Sequence, residues 1–353
     1  MKAARWYNRR DIRVEEVPEP RPKKGEVKIK VAWAGICGSD LHEYLAGPIF
    51  IPAGTPHPIT GEKAPVIMGH EFSGEVVEIG EGVEGFTKGD RVAVEPIVAC
   101  GACPSCRQGK YNLCVHLGFH GLSGGGGGFA EYTTFSAGMV HKLPPGMTFE
   151  EGALIEPVAV AVHAVRRGKM LEGESAIVFG AGPIGLSVIA AARAAGARQV
   201  ISVEMAEKRR EFARKIGADH VLNPTQVKVN EEVLRLTDGR GVDLAFETAG
   251  VPVTLLTSVD CIRPDGRVVI VSIWEKSAEL NPNLLVLTEK ELLGTIGYRD
   301  VFPAVIALIA DKRIDASQFI TAKIKLDQIV KDGFEELVNN KDKHVKILVS
   351  PQP

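Results

Sequence analysis

Ala176-Ile177-Val178-Phe179-Gly180-Ala181-Gly182-Pro183-Ile184-Gly185 decides the fold. Four apolar residues bounded by glycine read as a short buried strand, and the Ala-rich run from Pro183 to Ala195 reads as a helix. A GxGxxG turn is a weak signal by itself. Between a strand and a helix it is the fingerprint of a dinucleotide site. Gly180 permits the tight turn, and Gly182 lets a pyrophosphate approach the backbone where the helix begins at Pro183 and Ile184. Gly185 lets the helix pack closely on the strand. The next strand, Gln199 to Val203, is followed by Glu204, the acid such sites carry about 20 residues beyond the glycines. Its carboxylate can accept hydrogen bonds from the adenosine ribose and would repel a 2′-phosphate, which favours NAD(H). Lys208, Arg209 and Arg210 follow directly; they read as a solvated helix face but leave the preference against NADP open.

Outward from this motif the alternation continues. A helix is expected over Ala206 to Ile216, strands at His220–Leu222, Val242–Phe246 and Arg267–Val271, and a sixth strand at Glu291 to Ile296. Alternating strands and helices predict a parallel, doubly wound α/β sheet. Before residue 150 the texture differs. Val27–Val31, Glu75–Ile79 and Asp90–Val94 alternate apolar and polar residues between glycines and prolines, as short half-buried strands do. The five glycines Gly124–Gly128 lead straight into Phe129–Thr134 and read as an ordered loop before a strand. The tail from about residue 300 offers one apolar helix, Phe302 to Ala310, and two strands, and resembles neither half.

The strongest chemical signal is Cys100-x2-Cys103-x2-Cys106-x7-Cys114. Four thiolates at this spacing can surround one Zn²⁺ and leave no position for water or substrate, so the site is expected to be structural. A second set is scattered: Cys37 in Gly35–His42, His70 and Glu71 after Gly69, and Glu156 before Pro157. Taken singly each reads as an ordinary buried residue; together they supply the mixed S, N and O donors of an open metal site.

Composition limits the partners. The chain has 353 residues, 42 basic and 44 acidic side chains, and a net charge of −2. That balance argues against a protein built to grip nucleic acid or an anionic membrane. No apolar run reaches the ~18–20 residues of a membrane span. The charged start MKAARWYNRRDIRVEE carries no leader-like apolar core. A cytoplasmic, reducing setting is expected, where six cysteines point to metal or catalysis more than to disulfides.

Over its whole length the chain resembles the zinc-containing medium-chain dehydrogenases/reductases, on Gly35–His42, Gly69-His70-Glu71, the four-cysteine loop, Glu156-Pro157 and Gly180–Gly185. The resemblance implies a GroES-like β-rich catalytic domain over 1–155, an inserted Rossmann domain over 156–294, and a return to the catalytic domain over 295–353. The active site would lie between the domains. Two Zn²⁺ per chain are implied, one structural and one catalytic. Cys37 and His70 resemble the constant catalytic ligands, while Glu71 and Glu156 compete for the remaining place. Asp40 resembles an acid that orients the histidine. Ser39 and His42 resemble a proton relay, and Thr248, Val271 and Ile273 resemble segments lining the nicotinamide half.

The implied reaction is zinc- and NAD-dependent oxidation of a secondary alcohol. The long segment after Cys37 resembles that of the members interconverting 2,3-butanediol and acetoin, with Tyr44, Leu45, Ile49, Phe50 and Ile51 as an apolar wall for a small uncharged diol. Sorbitol or another polyol and L-threonine are the near alternatives. A non-catalytic NAD-binding protein on the same scaffold is the remote one; it would be expected to have lost the ligand residues, all of which are present. A homodimer or homotetramer is implied. Cys261 is left over as a core or subunit-contact residue.

Overall fold

A computed structural model describes residues 1–352. The chain divides into two compact units, Met1–Glu156 with the stretch from Phe302 onward, and Pro157–Val301.

The second unit is built on a six-stranded parallel sheet. Its order is His220–Leu222, Gln199–Val203, Ser175–Phe179, Val242–Glu247, Ile262–Ile270, Glu291–Gly294. Every residue of Ser175–Phe179 is buried, as a central parallel strand covered on both faces must be. Strand order reverses between Ser175–Phe179 and Val242–Glu247, and this switch point is where open α/β sheets bind ligands. The helix expected from Ala206 spans Glu207–Ile216, with Ala206 as its cap. The sixth strand stops at Gly294 and forms the outer edge of the sheet. Cys261 ends the helix Pro252–Cys261 and is buried beside Val259 and Ile262, a packing role within this unit.

The first unit centres on a seven-stranded sheet. Glu26–Gly35 pairs antiparallel with Glu71–Ile79, with Tyr132–Ser136 and, near its end, with Lys346–Ser350. Trp6, Ile29, Val31, Phe72, Phe129, Phe334 and Ile347 fill the core beneath it. The register sets Gly35 opposite both Glu71 and Leu348, which brings three distant stretches of chain to one point.

The glycine run is ordered, and packing explains its composition. Gly128 N–H donates to Gly69 O at 2.7 Å. A side chain on Gly127 would meet Met68 O at 2.4 Å, and one on Gly128 would press on Phe72 at 2.8 Å. The run lies flat against the backbone that leads into His70 and Glu71. Among the described residues no helix is long and apolar enough to cross a membrane.

Candidate metal centre and dinucleotide site

Cys37 closes the turn after Glu26–Gly35 and caps the helix Gly38–Ala46. Asp40, fully buried in the first turn of that helix, accepts the Cys37 N–H at 2.9 Å. Its other oxygen lies 3.5 Å from His70 Nδ1. Ser39 Oγ is 3.2 Å from His70 Nε2. Ligand atoms of Cys37, His70 and Glu71 lie within 4.8 Å of one another, so the register just described converts three scattered residues into one cluster.

A cation fits this cluster. His70 Nδ1 and Asp40 Oδ1 are buried without a hydrogen-bond partner among the described residues. Burial works against a charged His70, yet the negative fields of Asp40 and Cys37 outweigh it and raise its pKa well above the ordinary histidine value. The buried site is therefore short of positive charge. With Nδ1 turned to Asp40, Nε2 is the ring atom left for a metal.

Glu156 is not in that group of three. It is buried, and its charge raises the pKa of Lys346, as do the larger contributions of Glu71 and Cys37, all against the lowering effect of burial. Lys346 was missed in the sequence. Its ammonium, 2% exposed, donates to both oxygens of Glu71 at 2.7 and 2.6 Å and to Ile36 O at 3.2 Å. The one available signal was a lone lysine in the apolar run Val345–Val349. Gly35 makes room for the pair, since a Cβ there would stand 2.2 Å from Glu71 Oε2.

The four-cysteine loop is self-contained. Its sulfurs gather within 4.8 Å. Backbone N–H groups of Cys103 and Cys100 point at the sulfurs of Cys100 and Cys114, each at 3.3 Å. Hydrogen bonds from the Cys106 and Val115 backbone lower the Cys103 thiol to about 6, while burial, with neighbouring sulfurs, pushes Cys106 up to about 12. Preformed donors to thiolates suit a metal with four sulfur ligands and no open position.

In the second unit, Gly180 adopts φ +93°, and a Cβ on Gly185 would stand 1.9 Å from Gly180 O. Gly182 caps the helix Pro183–Ala194, with Pro183 at its first position, so free N–H groups face outward there. Glu204 accepts from Ala181 N–H and Ala206 N–H, both at 2.9 Å, which fixes the acid beside the glycine turn. Thr248 donates through Oγ1 to Phe179 O at 2.7 Å. Val271 N–H donates to Glu247 O at 2.9 Å, and Ile273 is half-exposed. Glu247 is a second residue missed in the sequence. It is fully buried, accepts from Ala249 N–H, Gly250 N–H and Thr254 Oγ1, and also from Ser272 Oγ. It ties together the loops after the fourth and fifth strands; its only sequence signal was an acid closing a buried strand.

A Cys/His/carboxylate cluster in one unit and a glycine turn at the switch point of a parallel sheet in the other are parts found together in metal-dependent dehydrogenases. Residues 23–145 match the alcohol dehydrogenase GroES-like domain, and residues 183–311 match the zinc-binding dehydrogenase domain. The (R,R)-butanediol dehydrogenase of Bacillus subtilis (strain 168) is 52% identical over 352 residues, covering 99% of this chain and 100% of that protein.

The chain belongs to the zinc-binding dehydrogenase family. It is an oxidoreductase.

The (R,R)-butanediol dehydrogenase of Neisseria gonorrhoeae is 45% identical, covering 99% of each chain. The crystal structure of 2R,3R-butanediol dehydrogenase from Bacillus subtilis superposes with a TM-score of 0.95 at 52% identity, covering 99% of each chain.

Proposed function

We propose that the protein is a zinc- and NAD-dependent (R,R)-2,3-butanediol dehydrogenase that interconverts the diol and acetoin. The observation that carries this reading is the gathering of Cys37, His70 and Glu71 beside Ser39, in a chain 52% identical to a protein of that activity.

Cys37 Sγ and His70 Nε2 would hold the catalytic zinc, with Glu156 or Glu71 as the carboxylate. Glu156 is the better candidate, because Lys346 engages both oxygens of Glu71. Cys100, Cys103, Cys106 and Cys114 would hold the structural ion. When bound, the catalytic zinc polarises a secondary alcohol and lowers its pKa toward neutrality, so that the carbinol hydrogen can leave as hydride to the nicotinamide. Asp40 Oδ1, 3.5 Å from Nδ1, would orient the His70 ring by its charge. Ser39 Oγ, held beside that ring, would take the hydroxyl proton while giving up its own hydrogen to a chain leading to His42, which lies three residues on along the same helix and is exposed to solvent. Gly182 and the helix N-terminus would receive the pyrophosphate. Glu204 would take the adenosine ribose and disfavour a 2′-phosphate.

The test is NADH formation with each butanediol stereoisomer, sorbitol and L-threonine, with NAD⁺ and NADP⁺ compared. The (R,R)-isomer with NAD⁺ is expected to give the highest kcat/KM. A clear win for sorbitol or threonine overturns the substrate, and a clear win for NADP⁺ overturns the role given to Glu204.

A further inference from the structure

Glu43 is an acid with no part in the chemistry above, yet it is fully buried. Its carboxylate collects three consecutive backbone donors. Ile49 N–H reaches Oε2 at 3.0 Å, Ile51 N–H reaches Oε1 at 3.1 Å, and Phe50 N–H donates to Oε1 between them. Three N–H groups converging on one anion form a nest, and bonds to a charged acceptor are roughly twice as strong as neutral ones. The Glu43 backbone takes part as well: its carbonyl accepts Gly47 N–H and Trp6 Nε1–H, both at 3.0 Å. Gly47 has no alternative, since a Cβ there would stand 2.5 Å from Glu43 Oε2 and 2.4 Å from its carbonyl oxygen.

The position of this latch gives it meaning. Glu43 and Ser39 are four residues apart on the helix Gly38–Ala46 and therefore share a face. The carboxylate lies beside Gly47 at the C-terminal end of the helix, so the segment hung on it crosses the shared face about one turn from Ser39. Within that segment Ile51 is buried in the core, while Ile49 and Phe50 keep 48% and 37% of their surfaces exposed. Two large apolar side chains on an anchored, non-helical backbone are poised to touch something other than the protein's own core.

We propose that Glu43 is a positioning residue for substrate selection, whose carboxylate folds residues 48–51 over the Ser39 face and so sets the wall that Ile49 and Phe50 present to the alcohol. This rests on the diol dehydrogenase reading above and goes beyond it. The carboxylate touches neither substrate nor metal. It acts by holding backbone whose side chains size the pocket, so a short vicinal diol is accepted and a longer one is crowded.

The experiment compares zinc-loaded wild type with Glu43→Gln. The ratio of kcat/KM for (R,R)-2,3-butanediol to that for a longer vicinal diol, 3,4-hexanediol, is the readout. Glu43→Gln puts an NH₂ among three N–H donors and should lower the ratio about tenfold, with the NADH dissociation constant within about twofold of wild type. A purely structural role would lower the melting temperature and leave the ratio unchanged; a ratio within about twofold of wild type overturns the proposal. Two measurements stand even if Glu43→Gln fails to fold. The Ile49, Phe50 and Ile51 amides of wild type should be protected from hydrogen exchange at least about 100-fold, and free exchange there overturns the latch. The exposed truncation Phe50→Ala should shift the same ratio, and no shift overturns the wall. Failure of wild type to oxidise any butanediol isomer would instead sink the functional reading.

Discussion

The two cysteine-bearing sites of the first unit are made in opposite ways. The four-cysteine lobe takes all its donors from residues 100–114, turns on Gly101 and Gly109 at positive φ, and orders its sulfurs with its own backbone N–H groups. The Cys37, His70 and Glu71 cluster exists only where three stretches of one sheet meet, and it needs Lys346 and Gly35 to be tolerated there. A local site can be closed by its own loop and spend all four ligands on one ion. An assembled site can leave a coordination position free, because the rest of the domain holds its donors in place. The structural role proposed for the lobe and the catalytic role proposed for the cluster fit this difference, a closed set of four thiols against a mixed set with room for another ligand.

Paired ligand substitutions should separate the two by the largest effect. Cys37→Ser is expected to cost about a thousandfold or more in kcat/KM, the loss of one metal's contribution to the barrier, while moving the unfolding midpoint little. Cys103→Ser should cost about 3–5 kcal/mol of stability, because structural-metal binding is folding free energy, with activity falling only as folded protein is lost. Metal analysis should read two zinc per chain in wild type and one in each variant. If Cys37→Ser keeps full activity, or if Cys103→Ser abolishes activity without destabilising the chain, the division of labour is wrong.

The same contrast explains what the sequence could disclose. Cys100 to Cys114 and Gly180 to Gly185 are legible because their chemistry lies within one turn of chain, and Glu204 follows from the strand after it. Cys37 and His70 become a site through resemblance; from the residues alone they are a lone thiol and a lone imidazole. Lys346 stands 275 positions from Glu71 and could be paired with it only by knowing that Lys346–Ser350 lies beside Glu26–Gly35. Glu247 and Glu43 were hidden for a related reason. Glu43 is a buried acid held by backbone N–H groups, and Glu247 is one held by two backbone N–H groups and two hydroxyls; backbone donors leave no mark in a sequence. Gly124 to Gly128 looked like composition and is packing against the backbone beside His70.

Lys346→Met probes the assembled site at its least legible residue. It leaves the Glu71 carboxylate, 0% exposed, without its cation. Removing one partner of a buried pair costs about 3–5 kcal/mol, whereas replacing both by apolar side chains is often neutral. Urea unfolding should therefore show a large loss for Lys346→Met and recovery of most of it in the double variant Lys346→Met with Glu71→Leu. Loss of less than about 1 kcal/mol in the single variant would mean that Glu71 carries no buried charge, or has another partner. Recovery of stability together with activity in the double variant would remove Glu71 from the ligand set and leave the place to Glu156.

Two glycines give the smallest and sharpest version of the comparison. Gly101 in the lobe has φ +67° and open space where a Cβ would go, so Gly101→Ala meets only the left-handed backbone penalty, about 1–2 kcal/mol. Gly35 is not in the positive-φ region; its difficulty is occupancy. A methyl group there would need Glu71 Oε2, 2.2 Å away, to move, and Lys346 Cδ at 3.1 Å to yield as well. The carboxylate cannot move without breaking its bond to the ammonium. Gly35→Ala should therefore cost about 1–3 kcal/mol, similar in size, but with it should come a drop in zinc affinity and kcat that Gly101→Ala does not show. Equal stability losses with unequal catalytic losses would establish that the glycine of the assembled site protects geometry and that of the local site protects only a turn. A Gly35→Ala protein that keeps its catalytic zinc and turnover would show that Glu71 and Lys346 can shift together, and that the cluster is less rigid than its packing requires.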